Sequence, residues 1–317
     1  MISPLGSAVL PCLHPVCRLL LAAGALLGAA AGQAATGKLL LTGGVSSVEG
    51  AAGGGISPWA LVGTQATEGE VGGSAFGSRV VTRDYELGVT GVALSWNNRI
   101  EFSLAQQTLD TGVTGSALGL AGLRLRQDIA GLKLRLAGDA VLDSDTWVPQ
   151  FAIGLQAKAL RDSGLDPTLQ ALGAKRRGTD VYLSATKLLL ARGLLVNGTL
   201  RLTRANQNGL LGHGATLGGD DSGYTLQPEM SVAWLLNRRL AVGLEYRAMP
   251  DRLKRAGAAA GLGDGLRAGD WADVFVAWAP SPHLSLTAAY VDLGRVVPAT
   301  TGQRRQTGTY VSAQLAL

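Results

Sequence analysis

The stretch DYELGVTGVALSWNNRIEFSLAQQTLD, Asp84 to Asp110, decides the reading of the chain. Two runs of alternating apolar and polar residues flank Asn97-Asn98, a pair that favours the tight type I′ turn of a β-hairpin. Pairing across a two-residue turn sets Tyr85, Leu87, Val89, Gly91 and Ala93 beside Ile100, Phe102 and Leu104 on one face. Glu86, Thr90, Glu101, Ser103 and Gln107 fall on the other. Side chains alternate along a strand, so the hairpin has one apolar face and one polar, partly charged face. A water-soluble sandwich turns the apolar face inward, whereas a barrel in lipid turns it outward. The hairpin alone does not choose between the two.

The rest of the chain repeats the pattern. A first strand is expected from Trp59 to Thr67, followed by a glycine-rich loop to about Arg79. Ala130, Leu132, Leu134 and Leu136 oppose Lys133 and Arg135. Phe151, Ile153 and Leu155 alternate with Gln150, Gln156 and Lys158. Leu200 and Leu202 face away from Arg201 and Thr203, Met230 and Val232 from Glu229 and Ser231, and Leu244 and Tyr246 from Glu245 and Arg247. Counted from Trp59, about twelve strands emerge, joined alternately by short turns and longer loops; fourteen is the alternative. Short turns at one end and long loops at the other are the connections of a bacterial outer-membrane barrel. The reading is therefore all-β, an antiparallel transmembrane β-barrel over residues 57–317. Residues 35–56 are left over as an N-terminal arm or plug. Tryptophans gather near the short turns and tyrosines near the long loops, as two interfacial girdles would.

Composition agrees. Aromatic residues are 5% of the chain, glycine reaches 45 residues, and no segment after the N-terminus has the run of about 20 apolar residues that a membrane helix needs. Residues 1–34 have the form of a secretory signal: Arg18, then an apolar run from Leu19, then small residues up to Ala34. Both cysteines, Cys12 and Cys17, lie within it, so the expected mature chain carries no thiol, which suits an oxidising compartment. The charge balance of 28 basic to 23 acidic residues is too even for dedicated nucleic-acid binding.

Several stretches also resemble a known family: GKLLLTGGVSSVEGAAGGG from Gly37, ATKLLLARGLLVNGTLRLTRANQNGLLG, LQPEMSVAWLLNRRLAVGLEYR, and DWADVFVAWAP with HLSLTAAYVDLG. These are similar to domain of unknown function 3034, an uncharacterised group of Gram-negative outer-membrane proteins. The resemblance spans nearly the whole expected mature chain. It implies export across the inner membrane and a place in the outer membrane, and it transfers no activity and no site. The chain departs from the usual barrel pattern in closing on Leu317 in place of an aromatic residue. Its Ala/Gly-rich insert from Arg255 to Gly269 is also longer than expected.

Candidate chemistry is sparse. His213 and His283 fall at opposite rims and cannot share a metal. A hydrolase dyad of His213 with Ser222 would need an orienting polar group, and both residues belong to one flexible loop, so a plain surface histidine is expected. Asp220, Asp221 and Asp180 lack calcium-loop spacing. The run GLGDGLRAG has none of the strand, helix and lysine context of a phosphate loop. Lys175, Arg176 and Arg177 could clamp lipopolysaccharide phosphates, although a solvated turn is the preferred reading. No catalytic, metal or cofactor site is expected. The better-motivated feature is the polar face, which assigns Glu86, Glu101, Lys133, Arg135, Lys158, Arg201, Glu229, Glu245 and Arg247 to the lumen. Such a wall suggests a channel or transporter for small polar solutes. A non-conducting structural or surface-interaction barrel is the alternative, and an outer-membrane hydrolase the third. The expected partners are outer-membrane lipid, lipopolysaccharide, the barrel-assembly machinery and a small solute, with no nucleic acid.

Overall fold

The computed structural model describes residues 41, 43–67, 69–141, 147–162 and 164–317. The expected signal segment and residues 35–40 of the expected arm lie outside them. Twelve antiparallel strands close into a barrel: β3 (Val71–Thr82), β4 (Glu86–Trp96), β5 (Ile100–Asp110), β6 (Arg124–Ala137), β7 (Gln150–Leu160), β8 (Arg177–Leu189), β9 (Leu194–Thr203), β10 (Thr225–Asn237), β11 (Leu240–Arg247), β12 (Trp271–Ser281), β13 (Leu284–Asp292) and β14 (Thr307–Ala316). Two further short strands, β1 (Val45–Ser46) and β2 (Ala52–Gly53), pair with each other inside it. No helix among the described residues is long and apolar enough to cross a membrane. Closure runs through β14 and β3, from Gly308 opposite Thr82 to Ala316 opposite Ser74. Leu317 then exchanges backbone hydrogen bonds with Gly73, which completes the seam at the last residue.

The outer wall is the apolar one. Leu94, Phe102, Leu104, Leu132, Leu155, Leu200, Met230, Leu244, Val274 and Leu315 are all exposed on it. Trp96, Trp234 and Trp278 are exposed near the short-turn end, and Tyr224, Tyr246 and Tyr290 near the long-loop end. A wall of this kind needs hydrocarbon around its waist and a polar interface at each rim. The long-loop ends of β3 to β6 carry outward charges, joined as Arg79–Glu86, Arg124–Asp110 and Arg126–Asp162.

The strand count matches the sequence expectation, but its first member does not. Trp59 to Thr67 is no strand, and Trp59 is buried inside the barrel. The first wall strand is Val71–Thr82, which the sequence pattern presents as a glycine-rich loop. Its inward row is Gly72, Ser74, Phe76, Ser78 and Val80, and at Gly72 the plug lies so close that a Cβ would fall 2.3 Å from Thr64 Oγ1. The opening hairpin differs too. Arg99 N–H donates to Trp96 C=O, so the turn holds three residues, and Ser95 pairs with Glu101. Asn97 and Asn98 both take positive φ, 56° and 46°, as their residue types favour. The extra turn residue slips β4 by one position, which reverses all its side chains. Leu87, Val89 and Ala93 therefore face inward, and Glu86 and Trp96 outward.

Candidate functional site

The interior is closed by the chain's own N-terminal segment. Residues 43–67 enter at the short-turn end, climb the lumen and return. At the lower end Gln65 Nε2 donates to Pro282 C=O at 3.0 Å, and Thr64 and Ser95 share a hydrogen bond. At the upper end β1 and β2 form a small hairpin, with Val45 opposite Gly53 and Ser46 opposite Ala52. Its tip is Glu49-Gly50. Gly50 sits at a φ of 91°, a left-handed conformation that glycine takes without strain.

That tip presents one carboxylate to three cations. Lys158 Nζ lies 2.5 Å and Arg247 Nη2 3.2 Å from Glu49 Oε1; Arg201 Nη2 lies 2.9 Å and Arg247 Nη1 3.1 Å from Oε2. Among the described residues the wall supplies two anions to this cluster. Asp180 Oδ2 is 2.7 Å from Lys158 Nζ, and Glu229 Oε1 is 2.5 Å from Arg201 Nε. Glu49 is the third, so the cluster is neutral only with the plug in place. Asn208, from the loop after β9, seals it from above by accepting from Lys158 at 2.8 Å and Arg247 at 3.0 Å. Every ion here is buried. Burial favours the neutral acid at Glu49, but Arg201, Arg247 and Lys158 outweigh it and hold the carboxyl well below its usual range.

Two further wall carboxylates grip the plug backbone. Glu101 accepts from Ala52 N–H at 3.0 Å and Gly63 N–H at 2.7 Å. Beside it, Lys133 Nζ donates to Ala52 and Leu61 C=O, both at 2.8 Å, and lies 3.1 Å from Glu101. Glu245 accepts from Ile56 N–H at 3.0 Å and from Ser231 Oγ–H at 2.8 Å. Gly54 makes this approach possible, since a Cβ there would lie 2.0 Å from the Glu245 carboxylate. Trp59 Nε1 donates to Ser231 at 2.9 Å, Ala60 N–H to Thr186 at 2.8 Å, and Pro58 C=O accepts from Thr199 at 2.8 Å. Irregular backbone buried inside a barrel needs partners for its N–H and C=O groups, and here the wall side chains provide them.

Above the plug the interior changes character. Val80, Leu87, Leu109, Leu125, Ile129 and Leu160 face inward and are buried, and loop residues Leu165, Leu169 and Leu210 fold down onto them. The lumen is thus charged in the middle and apolar toward the long-loop end.

The family model described as "Protein of unknown function (DUF3034)" matches residues 42–314. The chain belongs to the DUF3034 family. That match covers the plug as well as the barrel. No curated protein matches this DUF3034 chain in sequence. Among solved structures it is similar to the NanC porin (10% identity, 77% of this chain and 100% of that one, TM-score 0.49). It is also similar to the KdgM porin (8%, 76% and 98%, 0.44) and to the COG4313 outer membrane channel from Pseudomonas putida F1 (10%, 80% and 96%, 0.45). At these scores the fold rests on the chain's own topology.

Of the nine residues assigned to the lumen, Glu101, Lys133, Lys158, Arg201, Glu229, Glu245 and Arg247 are buried inside the barrel and surround the plug. Arg135 is also on the inner face but at the short-turn rim, bonded to Gly138 C=O and Asp139. Glu86 is on the outer wall beside Arg79, a correction that follows from the slipped β4 register. The residue that completes the site, Glu49, stands outside that set. Its signal was the tip sequence Val48-Glu49-Gly50, a lone charge in a run of small residues.

The remaining candidates stay apart. His213 is buried instead of sitting on the surface. Burial first, and the nearby Lys158 charge second, push its pKa down to about 4. Neither of its ring nitrogens has a partner among the described residues, and Ser222 donates its hydroxyl to Asp220, so no dyad forms. Arg176 is taken up by Asp166 at 2.8 Å and by loop carbonyls. Among the described residues no group of three or more His, Cys, Asp or Glu is placed to hold a metal.

Proposed function

We propose that the protein is a gated outer-membrane channel for small polar solutes, shut in this state by residues 43–67. The observation that carries the reading is the neutrality of the central cluster only when Glu49 is present. A barrel that merely needed filling is served by apolar side chains, since replacing buried ion pairs with well-packed hydrophobic residues is often neutral or stabilising. Wall charges that a movable segment neutralises suit an interior that is wet in another state. With the plug withdrawn, Lys133, Lys158, Arg201 and Arg247 would line the bore with Glu101, Asp180, Glu229 and Glu245. Both ends of the plug lie at the short-turn rim, so it can leave in that direction without threading.

Single-channel recording on the refolded protein tests the reading. Small or no steady conductance is expected from the intact chain. More frequent openings than in the intact chain are expected from Glu49→Gln, and more frequent still after deletion of residues 43–67, which leaves only the apolar closure above. A correctly folded barrel that stays silent in all three forms ends the proposal. The second reading, a non-conducting structural barrel, is favoured by how fully the plug backbone is hydrogen-bonded, and silence would leave it standing.

A further inference from the structure

The apolar half of the interior holds a cavity that the plug does not use. It lies between the upper wall and the inward-folded loops, has a volume of about 50 Å³, and is walled by Val80, Leu87, Leu109 and Leu125 from the strands and Leu210 and Val297 from the loops. No charged side chain lines it. Two lining residues each carry a buried polar atom with no partner among the described residues, Trp271 Nε1 and Gln207 Oε1. Both residues are only 4% exposed.

Their surroundings fix them in that state. The Trp271 ring packs against the Arg247 guanidinium, 5.4 Å from its centroid, and its N–H is left without an acceptor. Gln207 donates its amide N–H groups to Arg295 C=O at 3.2 Å and Val296 C=O at 2.8 Å, which identifies the other end of the amide as the oxygen. A buried donor or acceptor left unpaired costs about 1–3 kcal/mol, so a native structure seldom keeps two at one apolar cavity without something to fill it. Apolar walls with a few polar groups are also the usual make-up of a small-molecule site.

We infer that this cavity is a binding site for a small uncharged molecule with an alkyl body and one hydroxyl group. A hydroxyl both accepts and donates, which is what one free N–H and one free C=O ask of a ligand. An ion is disfavoured, because nothing in the lining would neutralise it. At roughly 10–15 Å³ per water-sized occupant, the cavity takes about four non-hydrogen atoms, the size of a short-chain alcohol. The site does not depend on whether the barrel conducts, since it lies above the plug among the loops.

The probe is 1-propanol, and the readout is fluorine NMR of the full chain carrying 5-fluorotryptophan. Trp271 is assigned by the signal lost in Trp271→Phe. Trp96, Trp234 and Trp278, exposed on the outer wall, report partition into the detergent. The expected result is a saturable shift of the Trp271 signal while the outer-wall signals drift linearly. Gln207→Leu is expected to raise the half-saturation concentration about tenfold, the loss of one well-placed hydrogen bond. A Trp271 signal that does not move, or that drifts in step with the outer-wall signals, overturns the proposal and leaves the cavity to water. An unchanged curve in Gln207→Leu overturns the hydroxyl assignment. Should that variant fail to fold, Val297→Phe, which fills the cavity from the loop side, must abolish the saturable shift for the proposal to stand.

Discussion

The middle and the upper part of this barrel's interior are built from the same inward-facing rows, yet they are closed by different means. In the middle, Lys158, Arg201 and Arg247 meet Asp180, Glu229 and the plug's Glu49, and buried ions hold the segment through short, directional contacts. Above, Leu87, Leu109, Leu125 and Trp271 meet loop leucines, and the closure is non-directional packing. The two regions therefore open under different conditions. Ionic contacts exchange readily for water once a passage is wet. Apolar packing must be pulled apart against the hydrophobic effect, at about 25 cal/mol per Å² exposed.

The contrast breaks most easily at Glu49. Glu49→Ala leaves three cations with two wall carboxylates, and a buried pair stripped of one partner typically costs about 3–5 kcal/mol. A lower urea midpoint for loss of the folded form is expected, together with raised conductance. Unchanged values for both would mean that the plug is held by its backbone contacts alone. In the apolar region, Leu125→Ala should cost about 2–5 kcal/mol through lost burial and the cavity it leaves. Urea unfolding should show that loss with conductance unaltered, so an opened channel in Leu125→Ala would erase the distinction between the two regions.

His213 lies beside both regions and sharpens the comparison through pH. Its folded pKa of about 4 lies below the ordinary 6.5, so between those values the unfolded chain binds more protons, and stability falls as pH falls. The loss should reach about 3 kcal/mol by pH 4, and His213→Gln should flatten that limb. Further acid then protonates Glu49, whose lowered pKa places its loss of stabilising charge below the usual carboxylate range. An identical pH profile in His213→Gln would show that the histidine is not the titrating group. The smallest effect belongs to the outer wall. Glu86→Gln removes an exposed ion pair with Arg79 and should leave both the urea midpoint and the conductance unchanged.

Much of this was legible because a barrel in lipid writes its two faces directly into the chain. Met230 and Leu244 outside, with Glu229 and Glu245 inside, follow from strict alternation, and seven of the nine lumen assignments fall around the plug for that reason. Alternation fixes a strand's two faces but not which of them points in. That choice follows from register, and at β4 it turned on one residue in the Asn97–Arg99 turn, which moved Glu86 to the outer wall.

An antiparallel barrel of about twelve strands with an apolar outer wall could be read from the chain, with fourteen strands as the alternative, because local periodicity and turn chemistry are short-range properties. Three features come from contacts across the fold: Trp59 belongs to a plug, Glu49 meets Lys158, Arg201 and Arg247, and the upper interior is apolar. Those contacts join residues more than a hundred positions apart, and a plug segment has no repeating side-chain pattern. Its backbone is satisfied in part by its own short hairpin and in part by wall side chains, and the second pairing exists only once the barrel has closed around it.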